Sequence, residues 1–171
     1  MLHITLEEGS KYYFGDIEWI GNTIYPSEYL SDILGINTGD VFDQTILNER
    51  LMIDEDAVNS LYLDNGYLFF EIIPVETRIE NDTIDFEMRI YEGKQATINQ
   101  IIIEGNTKTN EHVIRRELRT HPGDLFSKQD IIRSVRELAQ LGHFDPEQVE
   151  PEPIPNQADG TVDLKYKLVE K

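Results

Sequence analysis

The sequence predicts an α+β fold of two tandem β-α-α-β-β domains, each with a three-stranded sheet packed on two helices. The first observation is an internal repeat in the 171 residues, because the Gly-Asn turn at Gly21 aligns with the one at Gly105, 84 residues later. The second is that other glycines keep this register, so that Gly39 falls on Gly123. The third is that apolar residues alternate in some segments and follow helical spacing in others, in the same order in both copies.

Both copies of the repeat give the same order of elements. An apolar strand ends at the Gly-Asn turn, a short helix follows, and a Gly-Asp loop leads into a second helix capped by Asp43 or Ser127. Two strands joined by a hairpin-like turn close each copy. The expected strands are 12–20, 68–76 and 83–91 in the first copy and 96–103, 149–154 and 161–169 in the second.

The second helix differs between the copies. Here the offset falls from 84 to 77 residues, which pairs Val58 with Val135. The difference of seven residues is about two helical turns, so the apolar face is preserved. We therefore expect a longer second helix in the first copy, with Asp54, Glu55 and Asp56 as a solvated stretch in its middle.

The repeat also sets the expected domain boundaries. We expect residues 10–92 to form the first domain and residues 93–171 the second. Residues 1–9 match the end of the last strand of the first copy, which predicts the tail of a preceding repeat. They contain neither a basic segment nor a long apolar one, so we expect no signal peptide there. No run in the sequence approaches the ~18 apolar residues that cross a membrane.

The chain is strongly acidic, with 33 Asp and Glu against 15 Lys and Arg and a net charge of -18. Nucleic acid is therefore excluded as a general partner, because most of the surface would repel a polyanion. The charge is unevenly divided. Residues 1–92 hold 20 acids and 4 bases, a net charge of -16, whereas residues 93–171 hold 13 acids and 11 bases, a net charge of -2. The acidity thus belongs almost entirely to the first copy.

Motifs for catalysis and metal binding are missing from the sequence. The absence of cysteine removes disulfides, thiolate zinc sites and cysteine nucleophiles. The four histidines lack the spacing that holds zinc, and no calcium loop, Walker loop, GxGxxG or GxSxG motif is present. An acidic hydrolase with an unrecognised carboxylate site is the enzyme class that stays open. We expect a non-enzymatic protein without a cofactor or a metal.

The order of the motifs resembles polypeptide-transport-associated (POTRA) domains. These motifs are Ile-x-x-x-Gly-Asn from Ile17, Gly-Asp-x-Phe from Gly39, Leu-Tyr-x-x-x-Gly-Tyr from Leu61, and a final strand that ends in Glu-Gly at Gly93. The second copy departs at the third motif, which reads Leu-Ala-Gln-Leu-Gly-His-Phe from Leu138. Each motif alone is weak, but their order is specific because it is repeated twice over nearly the whole chain.

Within this family the resemblance is to BamA-like outer-membrane β-barrel assembly proteins, which carry several such domains ahead of a membrane β-barrel. It implies a mixed sheet in each domain and a location on the periplasmic side of the Gram-negative outer membrane. It implies a scaffold whose partners are unfolded outer-membrane β-barrel proteins, accessory assembly lipoproteins and the protein's own C-terminal β-barrel. The second copy resembles the domain nearest the barrel.

The resemblance also implies a binding surface, because the first strand of the closing hairpin lies at a sheet edge that can accept an added strand. In the first copy this surface is expected to consist of Leu68, Phe69, Phe70, Glu71, Ile72, Ile73 and Val75. In the second copy we expect the strand to be interrupted by Pro146, Pro151, Pro153 and Pro155. We therefore predict that the first copy accepts a strand and the second does not. The other interpretation is that the apolar residues are core, with Pro74 guarding the edge.

Basic residues concentrate on the helices of the second copy. This basic patch consists of Arg115, Arg116, Arg119, Lys128, Arg133 and Arg136. One interpretation is a cationic surface for a membrane or an acidic partner. The other, which we favour, is an ordinary solvated face balanced by nearby glutamates.

Other functions within the binding class stay open. The POTRA region of a two-partner secretion or autotransporter-assembly transporter uses similar domains beside a translocating barrel. A single-pass division protein carries one such domain, and the tandem repeat counts against it.

Overall fold

The computed structural model describes residues 11–171, which divide into two compact units. The first unit comprises residues 11–59 and 71–91, and the second comprises Ser60–Phe70 and Glu92–Lys171. The second unit thus includes a segment, Ser60–Phe70, that the sequence repeat assigns to the first copy. The expected tail of a preceding repeat, residues 1–9, lies outside the described residues.

The first unit contains a three-stranded mixed sheet. Its strands are β1 (Tyr13–Ile20), β2 (Glu71–Glu80) and β3 (Thr83–Tyr91). β3 lies in the centre, parallel to β1 and antiparallel to β2. Alternate residues of β3 are buried, as expected for a strand with one face on an apolar core. These buried residues are Ile84, Phe86, Met88 and Ile90.

Four short helical segments lie between β1 and β2 in the sequence. They are α1 (Ser27–Leu34), α2 (Gln44–Asn48), a π-helix (Glu49–Ile53) and α3 (Val58–Asp64), which begins in the first unit and ends in the second. α1 starts after Pro26 and ends at Gly35, which adopts the left-handed conformation with φ 68°. The Asp43 carboxylate caps α2 by accepting from the backbone N–H groups of Thr45 and Ile46.

The second helix of the first copy is broken, so the expectation of a longer helix is wrong. The chain leaves the helix at Asp54, and Asp54, Glu55 and Asp56 lie in a turn, not in the middle of a helix. The Arg50 guanidinium holds this turn by donating to Asp54 at 3.2 Å and to Asp56 at 2.7 Å. It also donates to the Leu34 carbonyl at the end of α1, at 3.1 Å. The hydrogen bond from Arg50 lowers the pKa of Asp56.

The second unit repeats the topology of the first. Its elements are β4 (Thr97–Glu104), α4 (Glu111–Glu117), α5 (Lys128–Gln140), a 3-10 helix (Pro146–Gln148), β5 (Glu150–Asn156) and β6 (Thr161–Lys167). β6 lies in the centre, parallel to β4 and antiparallel to β5. Asn110 and Ser127 cap α4 and α5 through bonds from the backbone N–H groups of His112 and Asp130. The predicted order of elements and the two mixed sheets are confirmed.

Candidate functional site at the sheet edges

The hairpin strand β2 lies at the edge of its sheet, as predicted. Pro74 stands opposite Met88 in the ladder between β2 and β3. Because proline has no N–H, its nitrogen faces the open side of β2. Backbone groups of alternate residues point to the same side, so the N–H groups of Ile72 and Glu76 also face outward. The open side of β2 thus offers these two N–H groups together with the carbonyls of all three residues.

The side chains of β2 divide between a buried and an exposed face. Ile72 is 8% exposed and belongs to the core, whereas Ile73 is 57% exposed. Glu71 is exposed and Val75 is half-buried. The core interpretation therefore holds for Ile72, while Ile73 and Val75 are available to an added strand.

The expected start of this strand is wrong, because Leu68, Phe69 and Phe70 precede β2 and lie outside its ladder. Phe70 is buried and stacks on Tyr62, with ring centroids 4.1 Å apart and planes inclined by 11°. Leu68 and Phe69 are half-buried against the apolar core of the second unit. Aromatic residues favour strands, but here tertiary packing decides their place. The candidate surface on β2 is therefore reduced to Glu71, Ile72, Ile73 and Val75.

The corresponding strand of the second unit, β5, is also an edge strand. The expectation that prolines interrupt it is wrong, since Glu150–Asn156 pairs with β6 without a break. Pro151, Pro153 and Pro155 alternate along β5, so all three nitrogens face the open side, where the ladder needs no N–H. Pro146 lies before the strand, in the 3-10 helix. The open side of β5 has no N–H at these prolines. The second copy thus differs from the first because its edge lacks outward N–H groups, and not because its strand is interrupted.

The basic patch of the second unit is largely paired with carboxylates. Four arginines lie within 4 Å of a carboxylate oxygen, in the pairs Arg115–Glu111, Arg116–Glu117, Arg119–Glu137 and Arg133–Asp130. Lys128 donates to the Ser60 hydroxyl at 3.1 Å, and Arg136 is exposed on α5. Exposed ion pairs of this kind each contribute about 0–1 kcal/mol. The pairing favours the solvated-face interpretation of the patch.

Glu170 binds the loop that follows β4, a contact that the sequence did not reveal. Its carboxylate accepts from the backbone N–H groups of Thr109 at 2.7 Å and Lys108 at 2.9 Å, and from the Thr107 hydroxyl at 2.8 Å. These bonds, above all the one from Thr109, lower the pKa of Glu170 to about 2. The sequence feature that could have indicated a role for Glu170 is the Glu-Gly motif of the first copy. There Glu92 occupies the position that aligns with Glu170, and it accepts from the Tyr62 hydroxyl at 2.9 Å.

Within residues 11–171, no group of three or more His, Asp or Glu side chains is placed to hold a metal ion. The helices in this part of the chain are too short and too polar to cross a membrane.

A family model described as POTRA, surface antigen variable number repeat, matches residues 12–93 and 96–171. The chain belongs to the POTRA family. This membership confirms the resemblance that the ordered motifs indicated.

Similar proteins and structures carry the name BamA. The chain is 30% identical to the outer membrane protein assembly factor BamA of Nitratidesulfovibrio vulgaris, over 100% of this chain and 22% of that protein. It is 29% identical to BamA of Neisseria meningitidis serogroup B, over 99% of this chain and 21% of that protein. The crystal structure of Haemophilus influenzae BamA POTRA3-5 matches with a TM-score of 0.79 and 26% identity, over 95% of this chain and 63% of that one. The chain therefore spans about a fifth of the length of the curated relatives it matches.

Proposed function

We propose that this chain is the periplasmic scaffold of an outer-membrane protein assembly factor. In this role it receives unfolded β-barrel proteins and docks accessory lipoproteins beside the protein's own C-terminal β-barrel. The names of the relatives and the tandem arrangement of the two POTRA domains support the proposal. The scaffold acts by binding, without bond cleavage or a cofactor.

The open edge of β2 is the observation that carries the proposal. The backbone N–H and carbonyl groups of an unfolded β-barrel protein are not yet paired with one another in a sheet. Such a chain adds to β2 by bonding the N–H groups of Ile72 and Glu76 and the adjacent carbonyls. Backbone bonds do not depend on sequence, so one edge serves many clients. The exposed side chain of Ile73 adds an apolar contact on one face of the added strand.

Binding at this edge is expected to be weak. Each hydrogen bond contributes about 0.5–1.5 kcal/mol net, and few such bonds are available at one short strand. Association and the ordering of an unfolded client oppose them. A weak contact suits a scaffold that passes a client toward a barrel, because a tightly held client would not be released.

The two copies divide this task. The prolines of β5 remove N–H groups from the open side of the second sheet, so client strands are expected to add to the first unit alone. The second unit is then free to contact the barrel, the accessory lipoproteins or the membrane surface.

A pull-down of the full-length parent protein from solubilised outer membranes tests the proposal. Co-purification of lipoproteins together with several unfolded β-barrel precursors is the expected result. Recovery of one large secreted protein, without lipoproteins, would contradict it and favour a dedicated secretion transporter. A parent protein with Ile73→Asp is the matched edge variant, and it should recover the lipoproteins but fewer precursors.

A further inference from the structure

The first strand of each unit is a second edge strand, on the other side of the sheet from β2 or β5. In β1 the backbone of Phe14 points away from β3, since its N–H donates to the Asp40 carbonyl and its carbonyl accepts from the Gly39 N–H, each at 2.8 Å. A bulge between Phe14 and Ile17 adds one residue to β1. Alternation then makes the backbones of Ile17 and Trp19 point the same way as that of Phe14. The open side of β1 therefore presents the backbone groups of Ile17 and Trp19.

The second unit contains a guanidinium bound at the corresponding position. Ile101 aligns with Ile17 at the offset of 84 residues, and its carbonyl accepts from Arg115 Nη2 at 2.9 Å. Arg115 projects from α4 and is also paired with Glu111 at 3.4 Å. The second unit thus places its own arginine on the open side of β4, where it binds an edge carbonyl.

The first unit has a groove in place of this arginine. Ser31 of α1 aligns with Arg115, and its hydroxyl accepts from the indole N–H of Trp19 at 2.8 Å. A groove of about 510 Å³ runs between β1 and α1. Its walls include Ile17, Trp19 and Ser31 together with three carboxylates, Glu18, Glu28 and Asp32. Serine is shorter than arginine, so the groove of the first unit stays open. In the second unit the Arg115 side chain occupies the corresponding position.

The charge of the groove matches a cationic occupant. Glu18, Glu28 and Asp32 are exposed side chains around one opening. The arginines of the first unit pair elsewhere, in the contacts Arg50–Asp54, Arg78–Glu80 and Arg89–Glu87. An arginine brought by a partner would therefore meet several carboxylates and an edge carbonyl together.

We propose that the open side of β1 binds an extended, arginine-bearing segment of a partner polypeptide. The segment adds as a strand through the backbone groups of Ile17 and Trp19. Its guanidinium donates to the Ile17 carbonyl, as Arg115 does to Ile101, and pairs with Glu28 or Asp32. A carbonyl oxygen has two lone pairs, so the Ile17 carbonyl accepts both the added strand and the guanidinium. This site stands independently of the β2 edge. It selects for a cation, whereas β2 binds through backbone groups and an apolar contact at Ile73.

Trp19 provides the measurement, because it is the single tryptophan of the chain and lines the groove. The probe is a capped ten-residue peptide in which arginine alternates with threonine, titrated into the protein while Trp19 fluorescence is recorded. A saturable change is expected. Ser31→Arg supplies the guanidinium from within the protein and should weaken binding about tenfold or more.

A second variant keeps the test independent of the hydrogen bond between Trp19 and Ser31. Asp32→Asn leaves that bond in place and removes one carboxylate, so it should weaken binding by about 3- to 10-fold. Glu55→Gln is the matched control, because it changes the net charge equally at a turn outside the groove and should bind as the natural protein does.

The peptide also needs a control for general attraction to an acidic protein. A peptide of the same sequence with every backbone nitrogen methylated keeps the charge but loses the backbone donors of an added strand, so it should bind weakly. The proposal is overturned if Trp19 fluorescence does not change up to millimolar peptide. It is also overturned if the N-methylated peptide binds equally, or if Ser31→Arg and Asp32→Asn bind like Glu55→Gln.

Discussion

Replacing Glu76 by proline should close the open side of β2 without removing a bond from the sheet. The backbone of Glu76 faces outward, in the same alternation as Pro74. Glu76 stands opposite Phe86 in the first sheet, and Pro153 stands opposite Leu164 at the equivalent place in the second. Glu76→Pro therefore gives the first unit part of the proline pattern that β5 already has.

The size of the effect follows from the number of donors lost. The variant removes one outward N–H, and one hydrogen bond contributes about 0.5–1.5 kcal/mol net, which corresponds to about 2- to 12-fold in affinity. An extended peptide should therefore bind Glu76→Pro about 2- to 12-fold more weakly. The free energy of unfolding should change by less than about 1 kcal/mol, because the substituted residue is exposed and its N–H bonds nothing in the sheet.

Two further variants make this prediction specific. Glu76→Gln removes the charge and keeps the N–H, so it should bind the peptide like the natural protein. Val75→Pro places proline one residue earlier, where the N–H faces β3, and should lower the free energy of unfolding by more than about 1 kcal/mol. Peptide titration by calorimetry and urea denaturation provide the two measurements. Equal affinity of Glu76→Pro and Glu76→Gln, or an undiminished stability of Val75→Pro, would refute the assignment of the two sides of β2.

Three other substitutions test the packing of the second unit. Gly105 has φ +95°, and a Cβ there would lie 1.8 Å from the Leu168 carbonyl oxygen. Gly105→Ala should therefore lower the free energy of unfolding of this unit by about 1–3 kcal/mol or more in urea denaturation. An unchanged midpoint of denaturation would contradict this close approach. Leu138 is fully buried, so Leu138→Ala should reduce the free energy of unfolding by about 2–5 kcal/mol. A loss below about 1 kcal/mol would contradict close packing around this side chain. The pKa of Glu170 is lowered from 4.5 to about 2, chiefly by the Thr109 N–H, so its contribution to stability is present above about pH 4.5 and is lost as the pH falls toward 2. Glu170→Gln should remove that part of the acid dependence, and identical pH profiles for the two proteins would contradict the assigned contacts.

The repeat made most of the fold predictable from the sequence. Alternation located the central strands β3 and β6, because one buried face imposes a strict period of two, and the Gly-Asn turns marked the ends of β1 and β4. The caps Asp43 and Ser127 marked the second helices, since their side chains accept from the first helical N–H groups. The edge position of the hairpin strand then followed from the family resemblance.

The errors arose where tertiary contacts decide between local alternatives. The seven added residues of the first copy are compatible with either a longer helix or a broken one. The broken helix forms because the Arg50 guanidinium stabilises the turn at Asp54 and Asp56. Aromatic residues at Phe69 and Phe70 favoured a strand, but their burial against other side chains places them before it.

The site at β1 was hidden for a related reason. Its presence depends on which side of the strand the backbone of Ile17 faces, and the bulge that fixes this side leaves no distinct sequence signal. The alignment of Ser31 with Arg115 was visible in the repeat. Its meaning became clear only when the structure placed the Arg115 guanidinium on the Ile101 carbonyl.

Chemical-shift mapping with an extended peptide from an outer-membrane β-barrel protein, chosen without arginine, tests the central claim most directly. If the first unit receives unfolded strands at the open side of β2, the largest changes in backbone amide shifts will fall on Glu71–Glu80. The outward amides of Ile72 and Glu76 should shift more than that of Val75, which faces β3. Changes confined to residues 143–155, or none at millimolar peptide, would contradict the claim.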